Sequence, residues 1–317
     1  MNKIAILTRD CAGVNAAIRA AVRTAAAAQV EVLGVLRGYE GLIDGDFVAL
    51  NRRSVSSIIN LGGTILKTAR SERFYQAGYQ ERAVKNIHDA AIEGLLVIGG
   101  NGTLAGAHLL ASEYGIATVG IPATIDNDVN GVEAAIGADT SVNVALDALD
   151  KIRDTATSLE RIFIVEVMGR NCGHIAMQVA LAGGCEEVLL PERDIDIEAM
   201  CREIKAGHVR GKVSWIVVTA EGRAKAQDVA AAVTLGTGLE TRIAVLGHIQ
   251  RGGRPTAIDR ILAARLAHAA FEALTEGKSD VCVHIKNGNA ALLPLGEAIR
   301  PKVCEVADDY HLLKVLA

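Results

Sequence analysis

The stretch that decides the fold is residues 117–128, Ala-Thr-Val-Gly-Ile-Pro-Ala-Thr-Ile-Asp-Asn-Asp, in which two carboxylates follow an apolar run. The run 117–121 is typical of a buried strand, and ligands of open α/β sheets bind beyond the carboxyl ends of their strands. Because Asp126 and Asp128 are two residues apart, an extended loop can turn both towards one pocket. One could hold a magnesium ion while the other takes a proton from a hydroxyl. A plain turn is the alternative, since Asp and Asn are common turn residues.

The composition indicates a folded protein large enough for two lobes. The chain has 317 residues, and chains beyond roughly 250–300 residues usually form more than one core. Aromatic residues make up only 3% of the chain, so the core must be mostly aliphatic, which suits a parallel sheet packed by helices. A formal net charge of −4 and a hydrophobic content of 50% argue against a disordered chain and against a general nucleic-acid binder.

The sequence carries no recognisable signal for secretion or membrane insertion. Residues 1–7 lack the form of a signal peptide, and no run of about 18 apolar residues predicts a membrane span. We therefore expect a cytoplasmic protein. The cysteines are scattered without CxxC spacing, and we expect reduced thiols rather than zinc ligands or a disulfide framework. They are Cys11, Cys172, Cys185, Cys201, Cys282 and Cys304.

Short apolar strands alternate with helical patterns along nearly the whole chain. In residues 139–153, for example, Val142, Leu146, Leu149 and Ile152 recur at helical spacing and indicate one buried helix face. This alternation predicts βαβ units with right-handed crossovers and a parallel sheet. The predicted strands are 3–7, 30–36, 94–98, 117–121, 161–166, 187–190, 214–219, 242–246 and 280–285.

Glycine clusters follow several of these strands, at 99–103, 169–173, 183–184 and 252–253. Such turns free backbone N–H groups to face an anion at a helix N-terminus, although glycine also simply marks tight βα turns. The first cluster lacks the Gly-Lys-Ser/Thr ending of a P-loop. It also lacks the GxGxxG pattern of dinucleotide-binding folds, which disfavours an NAD-dependent dehydrogenase.

Basic residues accompany the later clusters. Arg170 lies within the second cluster, and His248 and Arg251, three residues apart, precede the last. A guanidinium at a glycine turn suits a phosphate or a hydroxyl-rich ligand, although a lone His or Arg is more often a core or surface residue. Local basic loops in an acidic chain are typical of small anionic substrates.

Four sequence blocks together resemble the bacterial 6-phosphofructokinases of the phosphofructokinase A type. They are Pro-Ala-Thr-Ile-Asp-Asn-Asp, Val-Glu-Val-Met-Gly-Arg, Ala-Gly-Gly-Cys-Glu and Val-Leu-Gly-His-Ile-Gln-Arg-Gly-Gly, and the resemblance runs in order over residues 4–301. It implies two Rossmann-like three-layer α/β/α lobes with mostly parallel sheets, and a homotetramer. Residues 1–137 with 250–299 would form the donor lobe, 138–249 with 300–317 the sugar-phosphate lobe, and substrates would meet between them.

The resemblance implies a magnesium-dependent transfer of a phosphoryl group to the C1 hydroxyl of fructose 6-phosphate, giving fructose 1,6-bisphosphate. Asp126 matches the general base, Asp128 a magnesium-site acid, and Thr124 lies beside them. Arg170 would also stabilise charge on the transferring phosphoryl group. The residues matching the sugar-phosphate site are Met168, Gly169, Arg170, Glu221, His248 and Arg251, with Arg161 and Arg242 reaching in from a neighbouring subunit.

The resemblance also implies an effector site between subunits for a nucleoside diphosphate or phosphoenolpyruvate. The alternative for Arg19 and Arg23 is a plain exposed helix face, because they are four residues apart. The residues on or near this site are Arg19, Arg23, Arg52, Arg153, Glu186, Arg210 and Lys212.

Two departures from the family concern the phosphoryl donor. The loop 7–15 is two residues shorter than usual and carries Arg9 in place of glycines, and Asn101 replaces a magnesium-site aspartate. The small Gly102 and Ala123 leave room for a nucleotide and favour ATP over pyrophosphate. A pyrophosphate-dependent enzyme, or a catalytically weak paralogue that binds sugar phosphate or effector, remain alternatives. The residues expected at the donor are Arg9, Arg70, Arg73, Gly100, Asn101, Gly102 and Thr103.

Overall fold

The computed structural model describes residues 1–194 and 196–317 and divides the chain into two compact units. The first unit consists of Met1–Thr140 and Arg251–Lys302, and the second of Ser141–Gln250 and Val303–Ala317. Each unit therefore combines two separate stretches of chain. The donor and sugar-phosphate roles expected for the two lobes stay predictions.

Strands and helices alternate through both units. The strands are β1 (Lys3–Thr8), β2 (Glu31–Val35), β3 (Phe47–Leu50), β4 (Gly94–Gly99), β5 (Thr118–Pro122), β6 (Ile162–Val167), β7 (Glu187–Leu189), β8 (Trp215–Ala220), β9 (Thr241–Val245), β10 (Val281–Lys286) and β11 (Asn289–Pro294). The helices are α1 (Val14–Ala27), α2 (Tyr39–Asp44), α3 (Ala77–Asp89), α4 (Asn101–Tyr114), α5 (Ala138–Leu159), α6 (His174–Ala182), α7 (Ile197–Val209), α8 (Ala226–Thr237), α9 (Ala257–Thr275), α10 (Leu295–Ala298) and α11 (Ala307–Leu316). Short 3-10 helices cover Arg73–Tyr75 and Gly247–Arg251.

The first unit is built on a sheet of order β11-β10-β5-β4-β1-β2-β3. Its five inner strands are parallel, and the edge strands β3 and β11 run antiparallel to their neighbours. Along β1, Ala5 and Leu7 join a core cluster with residues of α3 and α4, while Ile4 and Ile6 point to the other face and are equally inaccessible. Both faces of this sheet are therefore covered, as parallel sheets require.

The second unit is built on a fully parallel sheet of order β7-β8-β6-β9. Ile164 of β6 and Val217 of β8 share a buried cluster with Ile204 of α7 and Val233 of α8. On the edge strand β9, by contrast, Ile243 and Val245 are 41% and 51% exposed. The unit therefore has a buried core, and its edge strand β9 carries exposed apolar side chains.

The expectation of an α/β fold with mostly parallel sheets is confirmed. All nine predicted strands are present, and the helix predicted over 139–153 is α5, which continues to Leu159. Strands β3 and β11 were not predicted from the sequence, because their apolar stretches are short and most of their side chains are exposed at the edges of the sheet. Among the described helices, none has the length and apolar character needed to cross a bilayer.

Candidate functional site

The expected donor residues lie at one edge of the first sheet. Strands β1, β4 and β5 are neighbours and parallel, so the loop 9–13, Gly100 with the first turn of α4, and the loop 123–128 all leave the sheet at its carboxyl edge. The N–H of Ala123 donates to the carbonyl oxygen of Gly99 at 2.9 Å, which joins the end of β4 to the beginning of the loop 123–128. This is the edge at which open α/β sheets bind ligands.

The loop that carries the two aspartates is held rigidly from within. The Asp126 N–H donates to Thr124 Oγ1 at 3.2 Å, and Asp126 is only 3% exposed. Between the two aspartates, Asn127 adopts a positive φ of 52°. Its side-chain amide donates to the Glu133 carbonyl at 3.1 Å and its Oδ1 accepts from Ala135 N–H at 2.8 Å. The segment is a turn, as one interpretation predicted, and its turn geometry presents a buried carboxylate.

Asn101 lies beside the second aspartate. As the first residue of α4, it donates from Nδ2 to the carbonyl oxygen of Asp128 at 3.0 Å. Its Oδ1 is buried and has no hydrogen-bond partner among the described residues. An amide oxygen left without a donor is a suitable ligand for a hard cation such as Mg²⁺, and the Asp128 carboxylate is the second oxygen ligand that the sequence predicts for this site. The first turn of α4 contains the remaining expected donor residues of this loop, Gly102 and Thr103, preceded by Gly100.

The side chain of Arg9 is anchored to the segment that precedes Arg70. Its Nη1 donates to the carbonyl oxygen of Ala69 at 2.9 Å and to Thr68 Oγ1 at 3.2 Å. The neighbouring Arg70 is exposed. The Arg9 guanidinium therefore ties the first loop to residues 68–69, which directly precede a second, exposed cation.

Arg73, also expected at the donor, is engaged by two carboxylates. Its Nε donates to Glu40 Oε2 at 2.9 Å and its Nη1 to Asp44 Oδ1 at 3.1 Å. Hydrogen bonds from Arg73 lower the pKa of Glu40 and of Asp44 below their usual values. The structure thus gives Arg73 a stabilising role next to α2, and its contact with the donor stays a prediction.

Most of the expected sugar-phosphate residues lie at the carboxyl edge of the second sheet. Met168 and Gly169 directly follow β6, Glu221 follows β8, and His248 is in the 3-10 helix after β9. Glu221 Oε1 accepts the backbone N–H of Arg170 at 3.1 Å. The structure therefore brings the Met168–Arg170 turn and Glu221 into direct contact. Arg251 ends the same 3-10 helix and is the first residue of the second segment of the first unit.

The turn that carries Arg170 is set by two glycines. Arg170 itself has a positive φ of 51°, and Gly169 a φ of 133°. A Cβ at Gly169 would lie 2.6 Å from the carbonyl oxygen of Cys172, and one at Gly222 would lie 1.7 Å from that of Arg170. Any larger residue at either glycine would displace the turn.

Arg161 and Arg242 lie at the opposite edge of this sheet. Arg161 precedes β6 and Arg242 is near the start of β9. Glu240 accepts from Arg161 Nε at 2.9 Å and also pairs with Arg242. At about 3.3 Å per residue, the seven residues from Arg161 to Met168 span roughly 23 Å. These two arginines therefore cannot join the Met168 turn of their own chain.

Three of the expected effector residues gather in the second unit. Lys212 Nζ lies 3.1 Å from Glu186 Oε1, while Glu186 Oε2 accepts the Ile216 N–H at 2.7 Å. Arg153 Nη2 donates to the carbonyl oxygen of Gly184 at 3.0 Å. A carboxylate and two cations thus surround the turn between α6 and β7.

The other expected effector residues are spread over both units. Arg210 follows the last residue of α7. Arg19 and Arg23 lie on α1, and the Nε atoms of both are buried without a hydrogen-bond partner among the described residues. Arg52 is exposed. Their convergence on one ligand stays a prediction.

Two residues that hold these loops in place were missed by sequence reasoning. Gln250 is fully buried, and its Oε1 accepts the Met168 N–H at 2.9 Å. Lys302 donates from Nζ to the carbonyl oxygens of Asn127 and Val132, both at 2.8 Å. Gln250 lies inside a quoted sequence block and could have been suspected, whereas nothing in the sequence around Lys302 indicates its contact.

Comparison with known sequences identifies similar proteins over almost the whole chain. The model of a family described as "Phosphofructokinase" matches residues 3–274. A protein named ATP-dependent 6-phosphofructokinase from Clostridium botulinum is 49% identical over 301 residues, covering 94% of each chain. Another of that name from Thermotoga neapolitana is 48% identical over 304 residues, covering 95% of each.

Solved structures with similar folds carry related names. Phosphofructokinase from Pichia pastoris in the T-state superposes with a TM-score of 0.89 and 32% identity, covering 94% of this chain and 37% of that chain. A pyrophosphate-dependent phosphofructokinase from Marinobacter aquaeolei has a TM-score of 0.83 at 22% identity, covering 100% of this chain and 91% of that chain. The latter likeness concerns the fold alone.

Proposed function

This chain belongs to the phosphofructokinase family, and on that premise we propose that it transfers the γ-phosphoryl group of ATP to the C1 hydroxyl of fructose 6-phosphate. The products are fructose 1,6-bisphosphate and ADP, in a step of glycolysis that takes place in the cytoplasm. The observation that carries this function is the rigid Asp126–Asp128 loop beside Asn101, in a chain 49% identical to relatives named ATP-dependent 6-phosphofructokinase.

We assign the role of general base to Asp126. Its carboxylate would take the proton of the C1 hydroxyl as the oxygen attacks the γ-phosphorus, and a base need only be within hydrogen-bond reach of that proton. The turn geometry around Asn127 holds this carboxylate in place before substrate arrives. Phosphoryl transfer depends mainly on such positioning and on the stabilisation of phosphoryl charge by cations. We assign this charge stabilisation to Arg170.

Asp128 and Asn101 are the residues that would hold Mg²⁺. The buried Asn101 Oδ1 without a hydrogen-bond partner supports this assignment. When bound, the ion would neutralise charge on the donor phosphates. Because an amide oxygen brings no charge where the family has an aspartate, we expect weaker metal binding than in relatives with the aspartate.

ATP is the donor best supported by this chain. The relatives at 48–49% identity are named ATP-dependent, and the small Gly102 and Ala123 leave space for the rest of a nucleotide. In the shortened loop, Arg9 restrains the backbone at Ala69. We assign the contact with the donor phosphates to the adjacent, exposed Arg70.

Self-association would give two arginines a role at the sugar phosphate. Arg161 and Arg242 lie too far along their sheet from the Met168 turn to serve the same chain, so we assign them to the sugar phosphate of a neighbouring subunit. Exposed apolar residues of β9 and of the 3-10 helix after it support a contact between subunits: Ile243, Val245 and Ile249 are 41%, 51% and 58% exposed. We propose a homotetramer in which Glu186, Arg153 and Lys212 contribute to an effector site for a nucleotide or phosphoenolpyruvate.

A steady-state assay with either donor tests this function. At fixed fructose 6-phosphate and excess Mg²⁺, the rate with ATP should exceed the rate with pyrophosphate by at least tenfold. A preference for pyrophosphate would contradict the donor assignment. Sugar-phosphate binding by calorimetry without turnover of either donor would instead indicate a catalytically weak paralogue.

A further inference from the structure

Two cysteines and a glutamate converge in the second unit, outside the residues assigned to substrates. Cys172 Sγ lies 2.7 Å from Cys304 Sγ, and one carboxylate oxygen of Glu192 completes a group whose three atoms are all within 4.8 Å of one another. They come from three segments: the turn after β6, the loop after β7, and the chain leading into α11. The sequence analysis expected no metal ligands among the cysteines, because the spacing of 132 residues between these two gives no motif.

Glu192 is the feature that indicates a cation. Its Oε1 accepts the Gly173 N–H at 2.7 Å, whereas its Oε2 is buried and has no hydrogen-bond partner among the described residues. A buried carboxylate oxygen without a donor destabilises the fold unless a positive charge faces it. Two polarizable sulfur atoms beside it supply no such charge, but together the three groups form the ligand set of a thiophilic metal ion.

We propose that Cys172, Cys304 and Glu192 form a binding site for a thiophilic divalent cation of the zinc class. Two thiolates and one carboxylate would leave one position of a tetrahedral ion for a water molecule. Binding would release both thiol protons to solvent, so the site would carry two thiolates, one carboxylate and one divalent ion. With metal–sulfur bonds of about 2.3 Å, the sulfurs would move apart to roughly 3.8 Å.

A disulfide is the alternative use of the two sulfurs. It would leave the buried Glu192 oxygen without a partner, and this oxygen is the observation that favours a cation.

The site would have a structural effect on the turn that carries Arg170. Cys172 closes that turn, since its N–H donates to the Gly169 carbonyl at 2.9 Å, and Glu192 holds Gly173 at the start of α6. A cation would tie both to the C-terminal segment that leads into α11. We therefore expect metal binding to raise the Tm of the protein, independently of whether the chain is a kinase.

Cobalt is a suitable probe, because thiolate ligands give Co²⁺ a charge-transfer absorption that oxygen ligands do not. The reduced full-length protein would be titrated with Co²⁺ in excess Mg²⁺, which occupies oxygen-only sites. We expect a thiolate–cobalt band that saturates at one ion per chain and disappears when Zn²⁺ is added. The band should be lost in Cys304→Ser, and the affinity should fall at least tenfold in Glu192→Gln. Cys201→Ala, a buried cysteine outside the group, should leave the titration unchanged.

The site would be overturned by the absence of the band in the reduced wild-type protein, or by its persistence in Cys304→Ser. Should Cys304→Ser fail to fold, Glu192→Gln decides alone, because glutamine can still accept the Gly173 N–H and removes only the charge. Unchanged Co²⁺ affinity in Glu192→Gln would contradict the proposal. Formation of a Cys172–Cys304 disulfide by exchange with a small disulfide, without Co²⁺ binding, would assign the pair to redox chemistry instead.

Discussion

Lys302 Nζ lies 2.8 Å from the carbonyl oxygen of Asn127, the residue between Asp126 and Asp128. A second bond of equal length joins the same ammonium to Val132, at the far side of the loop. In the segment that precedes Lys302, the carbonyl oxygen of Ala298 accepts the backbone N–H of Asn130 at 3.0 Å. The loop that carries the two aspartates is therefore supported from outside by the last residues of the first unit.

We expect Lys302→Met to lower kcat by about tenfold or more, because small displacements of a catalytic group cost large factors in rate. The KM for fructose 6-phosphate should change less than threefold, since most residues assigned to the sugar phosphate, among them Arg170 and Glu221, lie in the second unit. Lys278→Met, which removes an exposed lysine of the same unit, is the matched control. Equal kcat values for wild type and Lys302→Met would show that the loop does not need this support.

Asn101→Asp should strengthen magnesium binding. The substitution introduces a second carboxylate beside Asp128, and a negative ligand binds Mg²⁺ more tightly than an amide oxygen. It also removes the Nδ2 bond to the Asp128 carbonyl, so part of the gain will be lost. The activity measured against free Mg²⁺ should reach half-saturation at a lower concentration than in wild type. A higher half-saturation concentration would remove Asn101 from the metal site.

Arg242→Ala should raise the KM for fructose 6-phosphate at least tenfold, because a charge-assisted hydrogen bond to a phosphate contributes about 1.5–3 kcal/mol. If Arg242 acts on a neighbouring subunit, hybrids of Arg242→Ala and Arg170→Ala chains will contain some sites with both arginines intact. Mixing the two variants under subunit exchange should therefore recover activity at low substrate. No recovery in verified hybrids would place Arg242 outside the neighbouring site.

Arg73→Met should destabilise the protein in a pH-dependent way. Hydrogen bonds from Arg73 lower the pKa of Glu40 and Asp44, so their stabilising effect is fully present above the unfolded-state pKa of about 4. It is lost as the pH falls through the lowered folded-state values. Urea midpoints of wild type and variant should therefore differ at pH 7 and converge in acid. A difference in urea midpoint between wild type and Arg73→Met that stays constant down to pH 3 would contradict this role of Arg73.

The sequence predicted the parts of the fold and site that depend on local pattern. Apolar runs identified the central strands, and the Pro-Ala-Thr-Ile-Asp-Asn-Asp block identified the aspartate loop. The exposed edge strands β3 and β11 were missed because only pairing with a neighbour, and not burial, makes them strands.

The supporting contacts could not be predicted because they join distant parts of the chain. Lys302 and Asn127 are 175 residues apart, Gln250 and Met168 are 82 apart, and Cys172 and Cys304 are 132 apart. In each pair, at least one partner is an ordinary residue in its local sequence. Only the folded arrangement brings the two together.

The most direct test of the central claim is the turnover of Asp126→Ser with ATP and fructose 6-phosphate, measured together with sugar-phosphate binding by calorimetry. Removing a general base typically costs a factor of 10²–10⁴, and we expect kcat to fall by about 10³ while fructose 6-phosphate still binds. A kcat within tenfold of wild type would contradict the assignment of Asp126 as the base of a phosphofructokinase.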